Sequence, residues 1–383
     1  MKPKTVKLLV GQKDHCWNSD MESRVKEEID RICHLANIEL REEPFLVFDI
    51  ADVEKKVKEW KEAMPRVDMF YAVKCNSDPV LLRKLAAHNV GFDCASKNEI
   101  DSIINLGVPP IFDNKEELVK IKLLHPSARL LLRIQIMESS APLPMACKFG
   151  CDLDIASDLL YLARSLGLTV VGICFHIGSR IRDPKDFEGA IKLSRSVFDV
   201  AKNLDMKLTV LDIGGGFPGY KGSSSLFNEM AASINKAIDE YFPADGHYTI
   251  IAEPGRYVVK SAFTLCVNII GKKERKTNEG SEIMYIINEG IYGLFVFNLL
   301  HGVKRKPVFK KEWASKELLP SSIWGQSCDV VDKIVDECML PDLNIGDWLT
   351  IDDMGAYSIA CATTFNGFEK TKVNYIMSQR KCK

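Results

Sequence analysis

The chain has 383 residues, of which 46% are hydrophobic, so it is long enough for two domains or for one large barrel with additions. Its 51 Lys and Arg residues nearly balance 52 Asp and Glu residues, and the net charge of -1 gives no global attraction to nucleic acid or to an anionic membrane. We therefore expect its partners to be small molecules or proteins.

The twelve cysteines are scattered along the chain, and Cys94, Cys174 and Cys266 fall inside apolar, strand-like runs. This usage is typical of reduced core thiols in a cytoplasmic protein. The pair Cys147 and Cys151 has no histidine nearby, and neither a CxxC nor an HExxH motif occurs, so we expect no metal site. The N-terminal apolar run is too short for a signal peptide and no stretch approaches a membrane span, so we expect no membrane association.

Near the N-terminus, MESRVKEEIDRICHLA has a helical pattern, and residues 45–257 then alternate short apolar runs with helical patterns such as DFEGAIKLSRSVFDVAKNL. This alternation predicts βα units and a parallel sheet, with polar and glycine-rich strand ends forming a site at one face. The seven predicted strands are 68–76, 90–96, 110–113, 129–136, 169–179, 208–216 and 248–256. After residue 258 the segments are β-rich without this alternation, which predicts a second, mainly β domain formed by 1–44 and 258–383.

Residues suited to chemistry follow three of the predicted strands. Lys74 ends the first of them within FYAVKCNSD, and taken alone it is compatible with a salt-bridged structural lysine or with a Schiff-base amine. The glycines 214–216 suit either a tight turn or a phosphate cradle, to which Arg256 would add a fork-like donor and Glu253 a carboxylate at the far end of the ligand. An amine, a phosphate cradle and a carboxylate for a ring nitrogen together imply pyridoxal phosphate.

The motifs YAVKCN, GFDCASKNEI, FHIGSR, LDIGGGFPG, AEPGRYVVKSAFTL, SSIWGQSCDVVDKI and GDWLTIDDMGAYSIACATTFNGF closely resemble the eukaryotic ornithine decarboxylase family, in order from about residue 45 to 378. The resemblance implies an α/β chain with the alanine racemase-like fold, a pyridoxal phosphate (β/α)8-type barrel plus a mainly β C-terminal domain. It further implies a head-to-tail homodimer with shared active sites, and a carboxy-lyase that releases CO2 and a primary amine from an L-amino acid.

Carried over by position, the resemblance assigns cofactor attachment to Lys74, the ring-nitrogen carboxylate to Glu253 and the imidazole stacked on the ring to His176. It assigns the phosphate cradle to Ser179, Gly214, Gly215, Gly216, Arg256 and Tyr357. It assigns polar support around the lysine and ring to Asp93, Glu99 and Arg133. Cys328 matches the residue that the opposite subunit supplies to protonate the carbanion after CO2 leaves, and Asp329 and Phe365 match substrate-binding positions.

The sequence departs from the family at Leu300 and His301, where ornithine decarboxylases have Tyr-Asp. That aspartate and the one matched by Asp329 receive the distal ammonium of ornithine. Removing one partner of a buried charge costs several kcal/mol, so we expect poor use of ornithine. The neighbouring residues are apolar, which predicts a neutral aliphatic substrate, with leucine the natural match in size.

A second departure lies between residues 107–110 and 111–118, where the family has about one further βα unit. Only seven strands are predicted, whereas closure of such a barrel normally uses eight. In the family the missing stretch also contains the antizyme-binding element, so we expect no antizyme binding. The chain stops soon after its last strand, without the degradation tail of vertebrate members, and Arg180 stands where a glycine is usual beside the cofactor phosphate.

Three alternatives accompany this interpretation. The first is an ornithine decarboxylase that makes putrescine. The second is a non-catalytic, antizyme inhibitor-like protein, although those proteins lose cofactor-contacting residues and keep the antizyme-binding element, which is the reverse of the pattern here. The third is an amino-acid racemase or diaminopimelate decarboxylase, which fits less well because WGQSCD and TTFNGF resemble the ornithine decarboxylase group.

Overall fold

The backbone falls into two units in the computed structural model. We call Glu54–Val258 the barrel unit, and Met1–Val53 together with Val259–Lys383 the sheet unit. The structure describes residues 5–6, 19–39, 42–102, 111–137, 139–277, 280–301 and 317–378.

The described residues form seventeen strands and ten helices. The strands are β1 (Thr5–Val6), β2 (Phe45–Asp49), β3 (Val67–Ala72), β4 (Gly91–Asp93), β5 (Ile111–Phe112), β6 (Arg129–Arg133), β7 (Leu143–Pro144), β8 (Thr169–Cys174), β9 (Gly178–Ser179), β10 (Val210–Asp212), β11 (Thr249–Ala252), β12 (Phe263–Thr277), β13 (Gly280–Ile287), β14 (Leu318–Trp324), β15 (Lys333–Pro341), β16 (Trp348–Ile351) and β17 (Lys372–Ile376). The helices are α1 (Ser19–Ile38), α2 (Ile50–Ala63), α3 (Pro79–Ala87), α4 (Lys97–Ser102), α5 (Lys115–Leu124), α6 (Leu153–Ser165), α7 (Lys185–Asn203), α8 (Ser224–Tyr241), α9 (Arg256–Val259) and α10 (Val296–His301). Within the described ranges, every helix is too short or too polar to cross a lipid bilayer.

The barrel unit contains a parallel sheet of seven strands in the order β4-β3-β11-β10-β8-β6-β5. Six of these strands lie within runs predicted from the sequence, and β3 begins one residue before its run, which confirms the predicted barrel-type sheet with seven strands in the described part of the chain. In the described part of the chain no ladder joins β4 to β5, so the sheet is open between them. The predicted junction at 107–110 lies outside the described residues.

The crossover helices cover this sheet with apolar faces. Helix α7 shows the expected three- and four-residue spacing, and its buried residues are Phe187, Ala190, Ile191, Ser194, Val197, Phe198 and Ala201. Phe187 stacks on Phe217 with ring centroids 5.2 Å apart, and Phe217 meets the edge of the fully buried Trp60. This packing fixes the positions of the strands whose ends carry the polar residues described below.

The sheet unit is built on the long strand β12, which pairs with β2, β16 and β13. Strands β14 and β15 extend the sheet beyond β13, while β1 and β17 pair with β16 and β2. Residues 45–49 were grouped with the barrel in the sequence analysis, whereas they form β2 within this sheet. Helix α1 packs on the sheet through Ile29 and Cys33, which cluster with the buried Trp348.

Candidate functional site

Polar residues follow the carboxyl ends of the parallel strands in the barrel unit. Since parallel strands end at one edge of a sheet, these residues are brought to the same face. In chain order they are Lys74 after β3, Asp93 at the end of β4, Arg133 at the end of β6, His176 after β8, Asp212 and Gly214–Gly216 at the end of β10, and Glu253 after β11.

Lys74 lies in a single 3-10 turn, Val73–Cys75, directly after β3. Asp78 begins the next helix by accepting hydrogen bonds from the N–H groups of Val80 and Leu81, which fixes the chain beyond the turn. The Nζ atom of Lys74 is 2.6 Å from Oδ2 of Asp93, and its side chain is 41% exposed. The lysine is therefore both ion-paired and accessible, so the pairing does not prevent reaction with a ligand.

The glycines after β10 let three segments approach closely. Gly214 has a φ of +65°, and a Cβ atom there would lie 2.3 Å from the carbonyl oxygen of Phe175. A Cβ atom on Gly215 would lie 2.6 Å from the carbonyl oxygen of Glu253 and 3.2 Å from Nε2 of His176. Only glycine therefore permits the histidine and the glutamate to flank the loop at these distances.

His176 is held by its own loop, where the N–H group of Gly178 donates to its Nδ1 atom at 3.1 Å. Desolvation, followed by the charges of Arg133, Lys74 and Arg256, lowers the pKa of His176 to about 3. At neutral pH the ring is consequently uncharged.

The charges at this face interact with one another. Desolvation, followed by the negative charge of Asp93, raises the pKa of Glu253, whereas Lys74 and Arg133 act in the opposite direction. The Nη2 atom of Arg133 is buried with no hydrogen-bond partner among the described residues, and its guanidinium lies 4.8 Å from the ring centroid of Phe149. The site therefore combines cationic and anionic side chains with an unsatisfied buried donor.

These residues fit pyridoxal phosphate. Lys74 supplies an accessible amine, Glu253 a carboxylate and His176 a neutral ring, and Arg133 retains a free donor atom. The N–H groups of Gly215 and Gly216 make no hydrogen bond to the described residues, so they are available to phosphate oxygens. The described residues contain no group of three side chains suited to a metal ion.

One further predicted cofactor residue, Ser179, lies in a segment close to the glycine loop. Ser179 belongs to β9, which pairs with β7. Gly216 would place a Cβ atom 2.4 Å from the carbonyl oxygen of Gly178, so the segment carrying Ser179 packs on the loop. Arg180 is exposed and has a φ of +62°, a conformation that favours the glycine usual at this position. Glu99 accepts a hydrogen bond from the N–H group of Ala95 at 2.6 Å and so shapes the turn after β4.

The sheet unit gathers a second set of predicted residues. Cys328 is exposed, and its Sγ and N–H groups lie 3.6 and 3.3 Å from Oδ1 of Asn366. Asp329 accepts a hydrogen bond from the hydroxyl of Tyr292, which lowers the pKa of Asp329 together with the N–H group of Val331. Phe365 packs on the Tyr292 ring with centroids 4.2 Å apart. The structure thus joins Cys328, Asp329 and Phe365 through two residues that the sequence analysis missed.

The remaining predicted residues of the sheet unit lie in separate segments. Tyr357 has a φ of +54° and stacks on Phe297 with ring centroids 5.5 Å apart. Leu300 is 67% exposed in the last turn of α10, whereas Leu294 and Phe295, also expected to make the substrate environment apolar, are buried in the core. The side chain of His301 lies outside the described part of the structure.

Asp212, Tyr292 and Asn366 are the residues that sequence reasoning did not select. Asp212 stands in LDIGGG, where an aspartate before glycines looks like an ordinary turn residue. Tyr292 in EGIYGLF and Asn366 in TTFNGF lie in motifs that were recognised, but their contacts depend on pairing between distant segments.

Comparisons with known proteins agree with this geometry. The chain matches the family model described as the pyridoxal binding domain of pyridoxal-dependent decarboxylases over residues 50–111 and 110–260. It matches the model for their C-terminal sheet domain over residues 256–355. The first match is in two segments that overlap at residues 110–111, the position at which the sequence predicts a missing βα unit.

Individual relatives are similar over most of the chain. Ornithine decarboxylase of Rattus norvegicus is 41% identical over 373 residues, covering 88% of this chain and 81% of the relative. Antizyme inhibitor 2 of Xenopus laevis is 41% identical over 368 residues, covering 87% and 81%. The crystal structure of arginine decarboxylase from Paramecium bursaria Chlorella virus has a TM-score of 0.85 and 35% identity, covering 91% of this chain and 100% of that one. The chain therefore belongs to the ornithine decarboxylase family, and it is a pyridoxal phosphate-dependent decarboxylase.

Proposed function

We propose that Lys74 holds pyridoxal phosphate in the barrel unit and that the enzyme decarboxylates an L-amino acid whose side chain is neutral and aliphatic. The observation that carries the cofactor site is the convergence of an accessible lysine, a neutral histidine and a paired carboxylate around the glycine loop. The substrate preference rests instead on Leu300 and His301, and the ornithine, lysine and arginine decarboxylases similar to this chain do not themselves support it.

In this proposal the bound cofactor supplies a protonated ring that withdraws electrons from the substrate carbon that loses CO2. The Glu253 carboxylate holds the proton at the ring nitrogen, and the charges of Lys74 and Arg133 favour its ionised form. His176 remains neutral and stacks on the ring without competing for that proton. The N–H groups of Gly215 and Gly216 bind phosphate, so the ligand is fixed at both ends.

Proton return to the substrate carbon is assigned to the thiol of Cys328, which we propose enters the site of a partner subunit in a homodimer. Cys328 is exposed, and close to it in sequence Val330 and Val331 are 83% and 49% exposed. Phe365, in contact with the same cluster through Tyr292, is 42% exposed. Apolar side chains exposed together beside an exposed thiol are what a shared interface would cover.

The distal end of the substrate is assigned to Asp329 and to the segment with Leu300 and His301. Tyr292 donates to Oδ2 of Asp329, which favours the ionised form of that group, and the N–H group of Val331 donates to Oδ1, so both oxygens already accept a hydrogen bond. A cationic substrate would meet only this single, already bonded carboxylate where the family has two. A leucine side chain needs no such partner, since its stabilisation comes from apolar burial.

Cofactor binding is tested by visible absorbance of the purified protein. We expect an absorbance band in the wild-type protein that is lost in Lys74→Ala and kept in Lys115→Ala, which removes an exposed lysine of helix α5. A wild-type protein without the band, even after incubation with pyridoxal phosphate, would refute the site. It would favour the alternative of an antizyme inhibitor-like protein without catalytic activity.

Substrate preference is tested by identifying the amine released from ornithine, lysine, arginine, leucine and methionine. We expect the leucine product to dominate, and we expect the double variant Leu300→Tyr, His301→Asp to shift turnover toward ornithine. Putrescine as the main product of the wild-type protein would overturn the preference and leave an ornithine decarboxylase. Sedimentation tests the homodimer, and a strict monomer would contradict the shared site.

A further inference from the structure

Asp212 is a carboxyl group in the middle of the barrel unit that the proposed mechanism does not use. It ends β10, pairs in register with Cys174 of β8 and Ile251 of β11, and is 1% exposed. An aspartate is almost never buried to this extent without a partner or a task. Its location directly before the glycine loop places it between the two ends of the cofactor site.

The two oxygens of Asp212 have different environments. Oδ1 accepts a hydrogen bond from the N–H group of Gly214 at 2.8 Å. Oδ2 is buried and receives no hydrogen bond from any donor among the described residues. The neighbouring polar group is the carboxyl of Glu253, whose N–H group is bonded to the Gly214 carbonyl at 2.8 Å. Two carboxyl groups in contact, with no donor between them, form a hydrogen bond only if one of them carries a proton.

The surrounding charges decide which carboxyl is protonated. Lys74 and Arg133 act on Glu253 and favour its anion, whereas Asp93 disfavours it. Asp212 is buried, and desolvation, followed by the charge of Glu253, raises its pKa well above the usual range. The negative charge of Asp93 acts on Asp212 in the same direction, and the buried thiol of Cys174 beside it supplies no positive charge. The burial of Asp212 and the cations acting on Glu253 therefore favour a proton on Asp212 over one on Glu253.

We propose that Asp212 is a positioning residue, a neutral carboxylic acid that donates a hydrogen bond to Glu253 and accepts one from Gly214. This inference rests on the proposed role of Glu253 at the ring nitrogen. The donated hydrogen bond stabilises the anion of Glu253 and fixes its orientation. The accepted hydrogen bond connects the same side chain to the glycine loop. A single buried residue would therefore set the distance between the groups that bind the two ends of the cofactor.

A neutral donor and acceptor can be replaced by an amide, which gives a discriminating pair of variants. Asp212→Asn keeps both hydrogen bonds, whereas Asp212→Ala loses both. Cys174→Ala is the matched control, because it removes a buried polar atom at the same register position without touching the carboxyl pair. Each full-length protein, freed of cofactor, is titrated with pyridoxal phosphate between pH 6 and 9, and binding is followed by visible absorbance.

We expect Asp212→Asn and Cys174→Ala to bind the cofactor within about threefold of wild type, with the same pH midpoint. Losing a hydrogen bond to a charged group should weaken binding by Asp212→Ala about 10- to 100-fold. The pH at which the Asp212→Ala protein shows half of its maximal cofactor binding should also rise, because Glu253 loses the hydrogen-bond donor that favours its anion. If Asp212→Asn bound the cofactor as weakly as Asp212→Ala, the charge of Asp212 would be needed. If Asp212→Ala bound the cofactor like wild type, Asp212 would have no positioning role. Either result overturns the proposal.

Unfolding of the cofactor-free proteins gives a readout that does not depend on cofactor binding. A neutral Asp212 must lose its proton on unfolding above pH 4, so wild type should become less stable than Asp212→Asn as the pH rises. The ratio of the two unfolding constants should change by up to about tenfold per pH unit. A ratio independent of pH would refute a neutral Asp212 even if Asp212→Ala does not fold. If the ratio of unfolding constants changes with pH as expected but the wild-type protein binds no pyridoxal phosphate, Asp212 is neutral and the proposed function is refuted, together with the role of Asp212 in cofactor binding.

Discussion

Replacing His176 by asparagine should make the cofactor-free protein less sensitive to acid. In the wild-type protein the N–H group of Gly178 donates to Nδ1 of His176, and the Oδ1 atom of an asparagine would lie close to the position of that nitrogen. The substitution therefore keeps the hydrogen bond and removes the titration. Desolvation and three nearby cations lower the pKa of His176 from 6.5 to about 3, so the folded protein keeps the ring neutral where the unfolded chain protonates it.

The sign and size of the effect follow from this difference. Below pH 6.5 the unfolded state binds more protons at this residue, so the free energy of unfolding falls as the pH decreases toward 3. One pKa unit corresponds to about 1.4 kcal/mol. If the whole pKa shift of His176 is counted, a change from pH 7 to pH 5 therefore lowers the free energy of unfolding by about 2 kcal/mol. His176 is partly exposed, so we discount this to about 1 to 2 kcal/mol.

The assay is urea unfolding of cofactor-free wild type and His176→Asn, followed by far-ultraviolet circular dichroism at pH 7 and pH 5. Asp212 and Glu253 have raised pKa values and titrate in the opposite direction, but they are present in both proteins and cancel in the comparison. We expect the loss of stability on acidification to be about 1 to 2 kcal/mol smaller in the variant. Equal losses in the two proteins would refute a neutral, desolvated His176.

Two further predictions concern packing. Gly215→Ala should weaken cofactor binding at least tenfold in an absorbance titration, because its Cβ atom would lie 2.6 Å from the Glu253 carbonyl oxygen, whereas Gly189→Ala, with nothing within 4 Å in helix α7, should leave binding unchanged. Unchanged binding by Gly215→Ala would mean that the loop moves freely. Ser378→Ala should lower the free energy of unfolding by about 1 to 2 kcal/mol, since it removes a hydroxyl that donates to the buried Asp49; an unaltered urea midpoint would contradict this.

The sequence predicted the parallel sheet well because its signals are local. Each of the seven strands is a short apolar run, and several of the predicted runs end in polar or glycine residues, as strands do where a site lies at their carboxyl ends. Lys74 and the glycine loop could be recognised from such ends. The assignment of residues 45–49 could not, because an apolar run reveals a strand but not its partners, and β2 pairs with β12 and β17 from the far end of the chain.

The site was less predictable where function depends on burial. Asp212 was not selected because its sequence context is that of a common turn, and only its enclosure beside Glu253 gives it chemical significance. Leu300 illustrates the reverse case. Its apolar neighbours suggested a substrate environment, yet Leu294 and Phe295 are core residues and Leu300 itself is exposed. A linear run of apolar residues does not distinguish those that line a site from those that support it.

The open parallel sheet has a consequence for how the protein behaves at high concentration. Unpaired strand edges normally recruit strands from other molecules, which leads to aggregation. Here the two outer strands are β4, with 3 residues, and β5, with 2 residues, and in the described part of the chain neither is paired on its outer side. Edges this short offer too few hydrogen bonds to hold a foreign strand. The described sheet can therefore be open between β4 and β5 without offering an edge that recruits strands from other molecules.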